Sequence, residues 1–257
     1  LIIGAMAKYG TPLVRGHGIP EAMEAVLEKQ SRISPRVALL KPLSAAVSIG
    51  SGQPFGAEGP IIQTGGAIGS LLGQMFQTTA AERKVLLACG AAAGLTAIFG
   101  TPIAAMIFAV EILLFEFRAR SFIPLAIANV VAAEMHITFI SGQPVFAVGA
   151  INFGTPPELI LFLGFGIIAG LVATAITRSL YWIEDLFHRS RINTYMWPAL
   201  GGLFVGVVGY LVPTLITPGV DIYGPGYRLI DGILHGNYVL SFLIVLFLAK
   251  AAVWLVS

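Results

Sequence analysis

"FGAEGPIIQTGGAIGS", residues 55–70, holds one carboxylate, Glu58, and it is the only charged residue between Lys41 and Glu82. Ionisable groups inside apolar spans are costly and tend to mark functional positions. Gly56, Gly59 and Pro60 flank it. Proline is tolerated in a first helical turn, where its missing N–H would have had no helical partner. The stretch therefore predicts a helix whose first turn carries Glu58, Gly59 and Pro60. The free amides of such a turn amount to about half a positive charge and hold anions readily, and glycine lets an ion come close to the backbone. A carboxylate on that turn competes for the same place. Ionised, it sits where an anion would sit; protonated or swung aside, it leaves the site open. Glu58 reads either as such a gate or as a cap on its own helix.

The surrounding composition decides the fold class. Of 257 residues, 56% are hydrophobic and only 11% are charged, with a mean hydropathy of +0.86. Soluble domains average about 25% charged residues, so a large water-facing surface cannot be covered. Val85–Val110, Leu159–Thr177, Ile192–Val220 and Gly232–Ala249 are uncharged runs near the ~20 residues that cross a bilayer. They lack the alternation of membrane β-barrel strands. An all-α polytopic membrane protein is expected, with helices at 19–30, 36–50, 59–76, 82–99, 102–117, 121–140, 156–188, 197–213 and 237–256.

Several of these, notably 19–30 and 59–76, fall short of ~30 Å of hydrocarbon at ~1.5 Å per residue. Helices broken at membrane depth are tolerated where the freed backbone is buried in protein or lines a cavity. Transporter folds point such half-helix N-termini at anions. Gly65, Gly69 and Gly73 recur every four residues, as do Gly90 and Gly94, a spacing that predicts close helix packing in lipid. A net charge of +2 without a Lys/Arg-rich run argues against a nucleic-acid partner. Cys89, the single cysteine, excludes a disulfide within the chain and reads as a small core residue. The chain starts and stops inside apolar segments, which reads as part of a longer membrane domain. Basic residues in nearly every loop leave the positive-inside count without an orientation.

Two further stretches share the first one's design. In "RGHGIPEAMEAV", residues 15–26, Gly16 and Gly18 surround His17, and Pro20 opens a helix with Glu21 and Glu24 in its first turns. Its N-terminus is a second candidate anion cradle. His17 reads as a donor to an anion, as a pH-sensitive group, or as a structural residue. In "GAAAGLTAIFGTPIAAMIFAVEILLFEF", residues 90–117, Thr101 and Pro102 read as N-cap and first residue of a helix. Glu111 lies on that helix between Val110 and Ile112, either paired within the bundle or part of a proton path.

Together the three stretches resemble the CLC family of chloride channels and chloride/proton antiporters. "GHGIPE" (16–21) is similar to the family's GSGIPE, "GAEGP" (56–60) to its GREGP, and residues 90–111 to the segment that follows. The resemblance runs through residues 1–257 and implies a partial CLC transmembrane domain, lacking the later helices with the second filter. It implies a homodimer with one pore per subunit, inverted repeats meeting at the ion site, chloride as transported ligand and no cofactor or metal. Glu58 matches the gating glutamate. The amides of Ala57, Glu58 and Gly59, with Gly56 nearby, would line an outer anion site. His17, with Gly18 and Ile19, stands where the family's serine meets the central anion.

Three departures stand out. His17 replaces the usual serine, and Ala57 replaces the arginine beside the gate. Ile112 occupies the place of an internal proton-transfer glutamate, with Glu111 just before it. Passive conduction and proton-coupled exchange are both open on these residues. A rival from another class, an intramembrane hydrolase using Glu58 or Glu111 with His17, needs a nucleophile or metal constellation. The chain has no HExxH and no GxSxG, and His17, His136, His188 and His235 are scattered. No enzyme activity is expected. A purely structural scaffold would leave Glu58 without a reason to sit in a membrane.

Overall fold

A β-carbon placed on Gly65 would run into the carbonyl oxygen of Gly90, and one on Gly90 into the carbonyl oxygen of Gly65. Gly69 meets the Leu86 carbonyl in the same way, and Gly94 lies against that of Ile61. The four-residue glycine spacing thus does what it predicts: it brings two helices into backbone contact. Lipid tails are as apolar as leucine, so association in a bilayer rests on such close packing.

The computed structural model describes residues 2–142, 145–146 and 156–257. Among them are eleven α-helices and no strand, the expected all-α class. In chain order they are α1 (Ile2–Tyr9), α2 (Ile19–Leu27), α3 (Pro35–Gly50), α4 (Glu58–Met75), α5 (Ala80–Phe99), α6 (Pro102–Ala109), α7 (Ala119–Phe139), α8 (Pro156–Arg189), α9 (Trp197–Leu211), α10 (Tyr227–Leu234) and α11 (Leu240–Val256). Three helical stretches are long and apolar enough to cross a bilayer: Ala119–Phe139, Leu159–Arg189 and Thr194–Ile216.

The chain forms two units. The first comprises residues 2–51 and 56–145. Its centre is the α4–α5 pair, with α3 and α2 against α4, and with α6 and α7 against α5. Its core is built of small residues, including Ala67, Ala88, Ala91, Ala92, Ala105 and Ala109, all fully buried, and it contains Cys89 as expected. Ser70 on α4 pins the turn between α2 and α3. Its hydroxyl donates to the Ser31 carbonyl at 2.6 Å and accepts from the Ile33 N–H at 3.0 Å.

The second unit comprises residues 52–55 and 146–257. α9, α10 and α11 share a core of Val205, Leu229, Leu246 and Val253. The Gly224 N–H reaches the Gly52 carbonyl at 3.2 Å, tying in the short 52–55 segment.

Local differences from the sequence reading have physical causes. The helix expected over 102–117 is α-helical only to Ala109. It then widens into an i→i+5 turn over Val110–Leu114, closed by Phe115 N–H on the Val110 carbonyl at 2.8 Å. Phe115 itself is left-handed, with φ 54°, which ends the helix before the charged loop Glu116–Arg118. Thr101 does occupy the N-cap of α6, but its side chain makes no capping bond. The charge cluster around Asp221–Asp231 hides α10, which turns Leu229 into the core and Arg228 and Asp231 outward.

Candidate functional site

α2 and α4 start against one another. Gly18, the N-cap of α2, has φ 108°, a conformation that side-chain-bearing residues rarely adopt. A β-carbon on Gly18 would strike the carbonyl oxygen of Gly59, in the first turn of α4. One on Gly59 would overlap the His17 carbonyl and lie 2.8 Å from His17 Nδ1. Only glycine on both sides permits this meeting of backbones. The two motifs, some forty residues apart in sequence, are thereby joined. Gly18 and Gly59 are buried, Ile19 is half-buried and His17 is exposed.

The α4 start offers a small donor set. Ala57 is its N-cap, and the Ile61 N–H already donates to the Ala57 carbonyl at 3.0 Å. Pro60 has no N–H. The first-turn amides of Glu58 and Gly59 precede the intrahelical hydrogen-bond ladder of α4. The Glu58 carboxylate lies over Gly56, at the place a β-carbon on Gly56 would take. The N-cap residue Ala57 makes no side-chain capping bond. Gly56 and Ala57 thus lead directly into a first turn whose Gly59 lies against His17.

The α2 start is arranged differently. Its Glu21 carboxylate folds back: Oε2 accepts from the Gly18 N–H at 2.7 Å, and Oε1 fills the space over Gly16. One amide of the second cradle is therefore engaged by the chain's own carboxylate.

A residue that sequence reading used only as a boundary marker holds this loop in shape. Lys41 on α3 is 1% exposed. Its ammonium donates to the carbonyls of Leu13 and Val14 at 3.3 Å, Arg15 at 3.2 Å and Gly16 at 2.8 Å. A trans peptide carries its N–H opposite its C=O, so the His17 N–H faces away from the ammonium. The signal was present in the sequence as a lone lysine in "VALLKPLSAAV".

Glu111 lies elsewhere in the first unit, exposed on the wide turn 110–114, a segment that packs against α2. Ile112 beside it packs against the alanine core. Among the described residues no three His, Cys, Asp or Glu side chains cluster in a way that could hold a metal ion.

A family model described as voltage gated chloride channel matches residues 1–257. The chain belongs to that family. A ClcB-like protein of Ralstonia nicotianae is 30% identical over 243 residues, covering 93% of this chain and 55% of that protein. The H(+)/Cl(-) exchange transporter ClcA of Citrobacter koseri is 32% identical, covering 93% of this chain and 50% of that protein. The chain thus spans about half the length of these family members. A slow cyanobacterial Cl-/H+ antiporter shares the fold with a TM-score of 0.87 at 24% identity, over 99% of this chain and 59% of the antiporter. A CLC-type fluoride/proton antiporter gives a TM-score of 0.77 at 21% identity, over 99% of this chain and 62% of that one. As a CLC-family domain with membrane-length helices, the chain is part of an integral membrane protein.

Proposed function

We propose that the protein containing this chain moves chloride or a similar small anion across a bilayer, with Glu58 as the gate. The contact of His17 and Gly18 with Gly59 carries the reading, because it brings two helix starts to one place. Bringing a bare anion into hydrocarbon costs many kcal/mol, so several donors must converge on it. The amides of Ala57, Glu58 and Gly59 serve the anion from α4, with Gly56 clearing the approach. His17 serves it from the α2 side, with Gly18 and Ile19 shaping the turn. The Glu58 carboxylate competes with the anion for these donors and yields when protonated.

The protein acts as a homodimer, without cofactor and without enzyme activity. Whether protons are exchanged turns on two observations. Relatives named as H(+)/Cl(-) exchange transporters favour exchange, with Glu111 on the proton path. Ile112, packed against the core where an acid would stand, favours passive conduction.

The test is anion flux from proteoliposomes holding the full-length protein, with internal pH recorded together with chloride. Wild-type flux rises at low external pH, and Glu58→Gln gives flux independent of pH. Unchanged pH dependence in that variant would remove Glu58 from the gate. Uphill proton movement driven by a chloride gradient assigns exchange; chloride flux without it assigns a channel.

A further inference from the structure

Gln63 is 1% exposed on α4, and its Oε1 is shut off from solvent without any hydrogen-bond partner. Buried carbonyl oxygens are rarely left so, since an unmade hydrogen bond leaves the full desolvation cost in place. Its position narrows what could serve it. Gln63 stands four residues after Gly59, hence on the same face of α4, the face that meets His17 and Gly18. Helical side chains lean toward the N-terminus, and the Gln63 Cβ lies 3.2 Å from where a β-carbon on Gly18 would be. The amide therefore sits one turn along α4 from the joint of the two helix starts.

An oxygen acceptor cannot ligate an anion directly. A water molecule can donate one hydrogen to the oxygen and the other to the anion, which turns an acceptor into a donor at one remove. Such a site has the two or more polar partners that a buried water needs.

We propose that Gln63 is a specificity-determining residue: its Oε1 holds one water that stays on the anion as it passes His17, so the anion crosses partly hydrated. This rests on the anion-transport reading above. Strongly hydrated anions gain most from a retained water, so the site favours fluoride relative to nitrate more than bare amides would.

The experiment measures fluoride, chloride and nitrate efflux from proteoliposomes containing the full-length protein, as wild type, Gln63→Met and Gln63→Asn. Methionine keeps the length and flexibility of the side chain and removes the whole amide, acceptor and donors together; asparagine keeps both. In Gln63→Met the fluoride-to-nitrate flux ratio falls about tenfold, the worth of one hydrogen bond to a charged group. Gln63→Asn stays within about threefold of wild type, by the same scale. An unchanged ratio in Gln63→Met, or an equal fall in both variants, overturns the proposal, the second because it reports packing rather than an acceptor. If Gln63→Met carries no flux, the asparagine variant decides: a ratio near wild type supports the water site and a collapsed ratio overturns it. Wild-type vesicles that release no anion at all refute the transport reading itself, an outcome distinct from each of these.

Discussion

The Lys41 ammonium donates to the Gly16 carbonyl at 2.8 Å, and to three further carbonyls of residues 13–15. A buried cation here satisfies oxygens that a tight loop would otherwise turn into the protein unpaired. It thereby fixes the peptide that precedes His17. Replacing Lys41 with methionine leaves those oxygens without their donor, at a cost of about 3 kcal/mol for lost charged hydrogen bonds. Chemical unfolding of the purified protein would register the loss, and flux would fall with it. A variant within 0.5 kcal/mol of wild type, less than the ~1 kcal/mol of an ordinary hydrogen bond, would show that the loop holds itself.

Gly59→Ala places a methyl where the His17 carbonyl stands. The two helix starts must separate, and anion flux falls by tenfold or more, since displacements of about 1 Å cost that much in positioned sites. Gly170→Ala on α8, where an added β-carbon meets nothing within 4 Å, leaves flux unchanged. Equal effects at the two positions would show that the backbone contact at Gly59 is not what shapes the site.

Gly90→Leu tests the α4–α5 seam. Its side chain would enter the Gly65 carbonyl, and overpacking of this kind costs about 1–3 kcal/mol even where neighbours can shift. Two backbones in contact cannot shift without moving whole helices. The expected readout is loss of folded protein on size-exclusion chromatography in detergent. A monodisperse peak at wild-type yield would contradict the seam.

Glu116 lies in the loop before α7, and its carboxyl is held below the usual carboxylate range. The hydrogen bond from Ser121 Oγ at 2.6 Å is the main cause, aided by Arg120 and Arg118. A depressed folded pKa means that this contribution to stability is complete above the unfolded value, ~4.3 for glutamate. It is lost as pH falls through the lower folded value. Wild type and Glu116→Gln should therefore differ in melting temperature at pH 7 and converge in strong acid. A gap that persists at pH 2 would assign the difference to something other than ionisation.

Much of the fold could be read from the residues. The Gly65–Gly69–Gly73 and Gly90–Gly94 spacing implied a seam, and Thr101–Pro102 implied the break that separates α5 from α6. At the site, Glu58 and Gly59 on a first turn followed from Gly and Pro placement alone. What stayed hidden depended on long-range convergence. Nothing in the local sequence around Lys41 says that four carbonyls from residues 13–16 wrap its ammonium. Glu21 could be placed in the first turn of α2, but its return onto the Gly18 N–H is a rotamer choice. Gln63 sits in "EGPIIQTGG" beside Thr64, and nothing local sets it apart. Its significance comes from Gly18, which lies forty-five positions earlier in the chain.

The nine residues of α2 reach only about 14 Å at 1.5 Å per residue, less than half of the hydrocarbon thickness. A segment of that length cannot be inserted into a bilayer as an independent span, because its ends would expose unpaired peptide groups to lipid. α7 and α8, by contrast, are long enough to be threaded across one at a time as they emerge from the ribosome. The biosynthetic order of events is then constrained by length alone. Residues 16–21 can take their final depth only once Lys41 of α3 and Gly59 of α4 are in place, so the meeting of the two helix starts has to follow the insertion of both helices.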